Sequence, residues 1–208
     1  MEKIIQFLIG LCITCAILVV LLLIAIWIYS SKMKNNAKNL LKSTERGADF
    51  IYRLLRTAFP QGRIIRQASL PLGDGRRVLT DLLLVDRGGV FIIRVKSFPG
   101  AIDNTSRSTW TVTNTKGVGE FPNPFEQNRY VVSSIEAILK KEKIYNVPTH
   151  NIVVFSQKRV AFKLHYDKLL TAERLIDCIK DLNRNRFLNQ KEINLTLTAI
   201  KKYLPKQL

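Results

Sequence analysis

The chain has 208 residues, room for one domain of ordinary size and a short appendage. With 47% hydrophobic and 24% charged residues, the composition excludes an intrinsically disordered chain. The 33 Lys and Arg residues against 16 Asp and Glu residues give a net charge of +17, which predicts attraction to polyanions, either nucleic acid or anionic lipid headgroups. A basic but inert surface is the alternative interpretation.

The chain begins with a long apolar stretch. No side chain from Ile4 to Tyr29 is charged, and the stretch exceeds the roughly 20 residues that a helix needs to cross a bilayer core. Trp27 and Tyr29 stand at its far end, as in the aromatic belts of membrane interfaces. The apolar core of a cleavable signal peptide is shorter, about 7–15 residues. The sequence therefore predicts a single-pass transmembrane helix within residues 1–30 and a cell-membrane location.

The basic residues around this stretch predict its orientation. Four lysines follow it within a short distance: Lys32, Lys34, Lys38 and Lys42. Only Lys3 and the amino terminus precede it, so the positive-inside rule places the rest of the chain in the cytoplasm. Residues 31–44 are predicted to form a basic juxtamembrane linker, and residues 45–208 one folded domain.

Apolar periodicity and turn residues predict the elements of that domain. In chain order they are a helix over 47–59, strands over 63–70, 78–86, 90–98 and 108–113, a helix over 123–143, short strands over 152–156 and 160–162, and helices over 169–182 and 190–204. The strands over 78–86 and 90–98 are almost continuously apolar, which indicates that helices cover both faces of their sheet. The predicted fold class is α/β, with one mixed sheet flanked by helices and preceded by one transmembrane helix.

Asp81 stands inside an otherwise apolar predicted strand. A buried carboxylate without a partner costs several kcal/mol, so Asp81 needs a metal, a cation or a cluster of donors. The hairpin turn lies within residues 87–89. A two-residue turn at 87–88 places Asp81 opposite Arg94, and one at 88–89 places it opposite Lys96. Either register puts the three side chains on one face, because strand side chains alternate. A three-residue loop would break this arrangement.

Several short motifs follow one another in a recognisable order between about residues 45 and 160. They are Leu79-Thr80-Asp81, Gly89-Val90-Phe91-Ile92-Ile93, Val95-Lys96, Phe98-Pro99-Gly100, Trp110, Asn123-Pro124 and Gln127-Asn128. In this order they resemble the nuclease-related domain (NERD) family of the PD-(D/E)xK nuclease superfamily. The resemblance implies a restriction-endonuclease-like fold over residues 45–208, metal-dependent nuclease activity and, commonly, attachment to a transmembrane segment.

The sequence departs from the family pattern at two acidic positions. The Gly-Glu pair of the first helix reads Gly47-Ala48, and the Glu-x-Lys motif of the strand reads Arg94-Val95-Lys96. In an active member, as the resemblance implies, the aspartate and glutamate hold a divalent metal that activates water, and the lysine assists. An arginine repels a metal but can pair with a carboxylate. We therefore expect the Arg94 guanidinium to occupy the place of the metal beside Asp81.

The resulting hypothesis is a membrane-anchored domain with a vestigial nuclease site. Its residues are Asp81, Arg94, Lys96 and Gln127; Arg94 and Lys96 would contact nucleic acid. No cofactor is expected, although Mg²⁺ or Mn²⁺ would bind at Asp81 if the site were active.

Other interpretations fit the same sequence. Asp49 or Glu126 could supply a migrated acid to an active nuclease, or the domain could be a membrane-tethered scaffold that recruits proteins. Asp81 and Arg94 could form a purely structural ion pair, and Gln127 could simply face solvent. Trp110 is expected in the core rather than as a platform for stacking bases.

Overall fold

The computed structural model describes residues 18–28, 45–115, 117–185 and 187–205. The chain divides into two compact units, with the division between residues 42 and 43. Residues 18–28 are helical and their side chains are exposed. Within the described ranges, none of the helices combines the length and apolar character that a membrane crossing requires. The rest of the predicted transmembrane stretch and the predicted linker over 31–44 lie outside the described residues.

The second unit contains four helices and nine strands among its described residues. They are α1 (45–58), β1 (Arg63–Pro71), β2 (Arg77–Asp86), β3 (Gly89–Lys96), β4 (Gly100–Asp103), β5 (Thr109–Asn114), β6 (Gly117–Pro122), α2 (Pro124–Lys141), β7 (Thr149–Phe155), β8 (Val160–Phe162), β9 (Leu169–Thr171), α3 (Ala172–Asn183) and α4 (Gln190–Lys202). Strands β4, β6 and β9 were not predicted. The predicted helix over 169–182 opens with β9, and its helical part begins only at Ala172.

Two mixed sheets replace the single sheet that the sequence predicts. The five-stranded sheet has the order β1-β2-β3-β7-β9; its first three strands are antiparallel, whereas β3, β7 and β9 run parallel. The four-stranded sheet has the order β6-β5-β4-β8. Its strands are short, and β4, β5 and β6 are largely half-buried or exposed. Without long apolar runs, they give little periodic signal in the sequence.

Helices cover both faces of the five-stranded sheet, as the apolar strands predict. On one face Leu82, Leu84 and Ile93 pack with Ile51 of α1, in a cluster that α3 completes. On the other face, side chains of alternate parity, including Leu83 and Val85, pack with residues of α2 and α4. Asp81, Arg94 and Lys96 belong by strand alternation to the α2 face. The mixed α/β architecture with helices around the sheet is therefore confirmed.

The hairpin between β2 and β3 selects one of the two predicted registers. Asp86 pairs with Gly89 across a two-residue turn, and the ladder continues to Leu82 paired with Ile93. Gly89 has a φ of 123°, a conformation that glycine adopts without the penalty of a side chain. Extended by one step, this register aligns Asp81 with Arg94.

Candidate nucleic-acid interface

Asp81 lies where β2 and β3 separate. Their regular pairing stops at Leu82 and Ile93. Beyond that point the backbone N–H of Val95 donates to Asp81 Oδ2 at 2.7 Å, and Thr80 Oγ1 donates to the Ile93 carbonyl at 3.3 Å. Side chains of β2 thus take over from its backbone as partners of β3. The carboxylate of Asp81 is satisfied in part by an amide donor, which the sequence does not predict.

Arg94 is held by two hydrogen bonds, neither of them to Asp81. Its Nη2 donates to the Leu79 carbonyl at 2.6 Å, and its Nε donates to Asn128 Oδ1 at 3.2 Å. Among the ion pairs of the described residues, none joins Arg94 to Asp81. The predicted direct pairing is therefore wrong, because the separated strands expose the Leu79 carbonyl as a nearer acceptor. Burial lowers the pKa of Arg94, and the charge of Asp81 opposes this shift.

Asn128 connects helix α2 to the sheet beneath it. Its side chain is fully buried, and its Nδ2 donates to the carbonyls of Ile92 at 3.2 Å and Ile152 at 3.3 Å. These bonds fix the orientation of the amide, so Oδ1 faces Arg94 as an acceptor. Asn128 belongs to one of the family motifs in the sequence, but no function was predicted for it. Its position, a polar residue on the apolar face of a predicted helix, could have indicated a buried hydrogen-bonding role.

Lys96 is a half-buried cation with an altered proton affinity. Burial, together with the charge of Arg94, lowers the pKa of Lys96 from 10.5 to about 8, although the charge of Asp81 acts in the opposite direction. Its Nζ lies 5.6 Å from the centre of the Phe121 ring. Asp81, Arg94 and Lys96 therefore influence one another electrostatically, as three members of one cluster.

A cleft of about 710 Å³ lies between the β2–β3 region and the start of α2. Three arginines, Arg94, Arg107 and Arg129, line it together with Glu126 and Gln127, and we call it the arginine cleft. Glu126 Oε2 pairs with Arg129 Nη2 at 2.9 Å, so the acid of the wall is already neutralised. The arginine cleft therefore has a positive wall.

Asn123 holds two parts of the arginine cleft together. Its Oδ1 accepts from the Phe125 N–H at 2.9 Å, as the predicted helix cap requires. Its Nδ2 donates to the Arg107 carbonyl at 2.8 Å, and its backbone N–H donates to the Ser108 carbonyl at 2.8 Å. The loop that carries Arg107 is thereby fixed against the start of α2.

The structure brings together some of the predicted site residues and separates others. Arg94 and Gln127 line the arginine cleft, whereas Asp81 and Lys96 do not. Arg107 and Arg129 were not predicted as site residues. Because Arg107 lies in a loop and the chain is rich in basic residues throughout, neither arginine stands out in the sequence.

The two acids considered as migrated ligands both pair with arginines. Asp49 forms an ion pair with Arg66 of β1, and Glu126 pairs with Arg129. Gly47 lies in the first turn of α1 and packs against Ser97 and Ser156. A Cβ at this position would overlap the side chains of both serines. Helix α1 therefore approaches the sheet closely at the family glycine but presents no glutamate there.

These residues do not fit a resident Mg²⁺ or Mn²⁺. Hard divalent cations select several oxygen ligands, commonly carboxylates. Of the two acidic strand positions in the family motif, only Asp81 is acidic here, and it interacts electrostatically with the cations Arg94 and Lys96. Across residues 45–115, 117–185 and 187–205, no group of three or more His, Cys, Asp or Glu residues is placed to hold a metal.

The family model described as nuclease-related domain matches residues 41–156. This range contains the cluster of Asp81, Arg94 and Lys96 and all three arginines of the cleft. No curated protein matches the chain significantly.

Proposed function

The chain belongs to the nuclease-related domain family, and on that premise we propose that it binds the phosphate backbone of nucleic acid without cleaving it. The arginine cleft is the observation that carries this proposal. Three guanidinium groups line this cleft of about 710 Å³. The acid among them, Glu126, is paired with Arg129. Guanidinium groups suit phosphate because their donors match its oxygens in a fixed, bidentate geometry.

The start of helix α2 adds to this attraction. Asn123, Glu126 and Gln127 from its cap and first turn line the arginine cleft. The positive dipole end of a helix favours anions. Gln127 Nε2 adds an amide donor with no charge. These contacts are all to phosphate, so they predict affinity without preference for a base sequence.

Loss of cleavage follows from the charges beside Asp81. The family resemblance implies an aspartate and a glutamate around a divalent cation; here Arg94 replaces the glutamate and is anchored by Leu79 and Asn128. The fixed cation repels a metal from the remaining carboxylate. We propose that the five-stranded sheet and its helices keep the restriction-endonuclease type of core while the site has become a binding site.

Membrane attachment is a further part of the proposal. It rests on the uncharged stretch from Ile4 to Tyr29 and on the lysines that follow it. With the domain on the cytoplasmic side, its net positive charge would also favour anionic lipid headgroups. Nucleic acid bound in the arginine cleft would thereby be held near the membrane.

A nuclease assay on the whole chain in neutral detergent tests the proposed loss of activity. Labelled single-stranded and duplex DNA and RNA are incubated with Mg²⁺ or Mn²⁺, beside the variant Asp81→Ala. We expect no metal-dependent cleavage above the level of the variant, because one carboxylate flanked by two cations does not retain the metal. In the same samples, a gel-shift assay should show nucleic acid bound at low salt.

Cleavage that requires Mn²⁺ and disappears in Asp81→Ala would contradict the proposal. It would indicate that Asp49 or Glu126 leaves its arginine and completes a metal site.

A further inference from the structure

A second pocket lies next to the arginine cleft. It has a volume of about 480 Å³, and its walls include Trp110, Phe125 and Tyr166; we call it the aromatic pocket. Asn123 lines both the aromatic pocket and the arginine cleft. The arginine cleft and the aromatic pocket therefore adjoin at Asn123.

The three rings of the aromatic pocket form a connected set. The ring centres of Trp110 and Phe125 are 6.0 Å apart, with an angle of 64° between the ring planes. Those of Phe125 and Tyr166 are 5.9 Å apart, with an angle of 76°. Trp110 is 1% exposed and its Nε1 donates to the Ser106 carbonyl, so it forms a rigid floor. Tyr166 is 45% exposed. Its ring thus combines a fixed aromatic neighbour with open access for a flat apolar ligand.

The polar groups of the aromatic pocket are compatible with a nucleobase. Asn151 Nδ2 donates to the Phe125 carbonyl at 3.0 Å, which fixes the orientation of the amide. Asn151 Oδ1 is then a buried acceptor without a hydrogen-bond partner among the described residues. The exocyclic amino groups of adenine, cytosine and guanine are donors of the kind that this acceptor lacks. Asp167 and Lys168 also line the pocket and carry opposite charges.

We propose that the aromatic pocket receives one unstacked base of a single-stranded nucleic acid whose phosphates lie in the arginine cleft. This inference rests on the proposed function and adds its substrate class. Aromatic side chains bind bases of single strands by stacking, largely regardless of sequence. A duplex keeps its bases paired and stacked, so it can offer its phosphates to the arginine cleft but no base to the aromatic pocket.

The test compares three probes by fluorescence anisotropy on the whole chain in detergent at low salt. They are a short oligoadenylate, an abasic oligonucleotide with the same number of phosphates, and a duplex of the same length. We expect the oligoadenylate to bind about tenfold more tightly than the abasic probe, the range that stacking of one base gives. The variant Tyr166→Ala should remove most of this difference and leave the affinity for the abasic probe and the duplex unchanged.

Two further variants serve as controls. Tyr166→Phe retains the ring and should bind all three probes as the wild type does. Tyr145→Ala removes another exposed tyrosine, 67% accessible and outside the aromatic pocket, and should have no effect.

Equal affinity of the wild type for oligoadenylate and abasic probe would overturn the inference and leave phosphate binding intact. An equal loss of affinity for all probes in Tyr166→Ala would overturn it too, because the ring would then act only on the structure. Absence of binding to every probe at low salt would instead overturn the proposed function together with the inference.

Discussion

Arg94 is a cation that the surrounding backbone holds in one position. The Leu79 carbonyl and the buried amide of Asn128 accept two of its N–H groups, and Asn128 is itself fixed by two carbonyls of the sheet. A guanidinium in such a frame keeps its charge and loses little further freedom when it binds a phosphate. The same frame keeps positive charge near Asp81, where the family pattern has a metal.

The substitution Arg94→Glu tests whether this charge excludes the metal. It restores the second acid of the motif on the face of Asp81, so we expect Mn²⁺ in millimolar excess to raise the Tm of the variant by several degrees through preferential binding to the folded state. The Tm without metal should fall, because Asn128 Oδ1 loses its donor. The measurement is differential scanning fluorimetry with and without Mn²⁺.

Arg94→Gln is the matched control, since it removes the cation without adding an acid. Mn²⁺ should leave its Tm unchanged, as it should that of the wild type. An equal Mn²⁺ effect in both variants, or a clear effect in the wild type, would mean that Arg94 does not decide metal binding.

Lys96 should make the stability of the protein depend on alkaline pH. An unfolded lysine keeps its proton to about pH 10.4, whereas folded Lys96 releases it near its pKa of about 8. Between these values the unfolded state binds more protons, so the free energy of unfolding rises with pH. At pH 7 the charged form costs up to about 3 kcal/mol, at 1.36 kcal/mol for each pKa unit.

The variant Lys96→Met removes this titration at similar side-chain length. It should be more stable than the wild type at pH 7, by about 2 kcal/mol after loss of the contact with Phe121. The advantage should shrink between pH 8 and pH 10. Urea unfolding of the variant and the wild type at pH 8 and at pH 10 gives the difference in the free energy of unfolding at each pH. A difference that stays constant across it would show that Lys96 has an ordinary pKa.

Single residues were predicted unevenly from the sequence. Asp81 was recognisable because a carboxylate in an apolar strand needs a partner, and Arg94 because it interrupts a family motif. The partners of both residues were not predictable, since they depend on where β2 and β3 separate, and strand alternation says nothing about that point. Arg107 was missed because its position comes from Asn123, whose bond to a loop carbonyl is a tertiary contact.

At the scale of elements, helix α1 depends on a close contact with the sheet. Gly47 lies against Ser97 and Ser156, which are joined by an Oγ–Oγ hydrogen bond of 2.7 Å. The same helix contributes Ile51 and Leu55 to the core of one sheet face. Glycine is therefore required at position 47 for space, despite its low helix propensity.

Gly47→Ala should destabilise the fold by about 1–3 kcal/mol, because the added methyl group forces the serines or the helix to move. Urea unfolding followed by tryptophan fluorescence reports the change, since Trp110 is buried. Gly73→Ala is the control: no atom lies within 4 Å of the Cβ it would add, and it should change stability by less than about 1 kcal/mol. Equal stability of the two variants would contradict the close packing of α1.

Elements with strong periodicity or clear end signals were predictable, and short ones were not. The apolar runs of β2 and β3 and the Asn123-Pro124 start of α2 gave reliable bounds. Strand β9 has only three residues and leads directly into α3, so its apolar residues looked like the first turn of that helix. The second sheet was missed because β4, β5 and β6 are short, so each strand contributes only one fully buried residue, Ile102, Trp110 or Phe121, to the apolar cluster beneath it.

At the scale of the whole molecule, positive charge is abundant but unevenly arranged for binding. The net charge of +17 would attract any polyanion. Three arginines, Arg94, Arg107 and Arg129, converge on one cleft. Other exposed arginines, such as Arg53 and Arg56, lie on α1, whose core residues pack on the opposite face of the sheet from α2. Under the proposed function, the arginine cleft, rather than the total charge, binds phosphate.

The salt dependence of binding measures this most directly. The slope of log Kobs against log salt changes by about 0.7 for each phosphate contact with a single strand. We predict that Arg107→Gln lowers the magnitude of the slope by about 0.7, and that Arg53→Gln, which removes the same charge from α1, leaves it unchanged. Equal changes in the two variants would contradict the proposed function, because binding would then follow net charge alone.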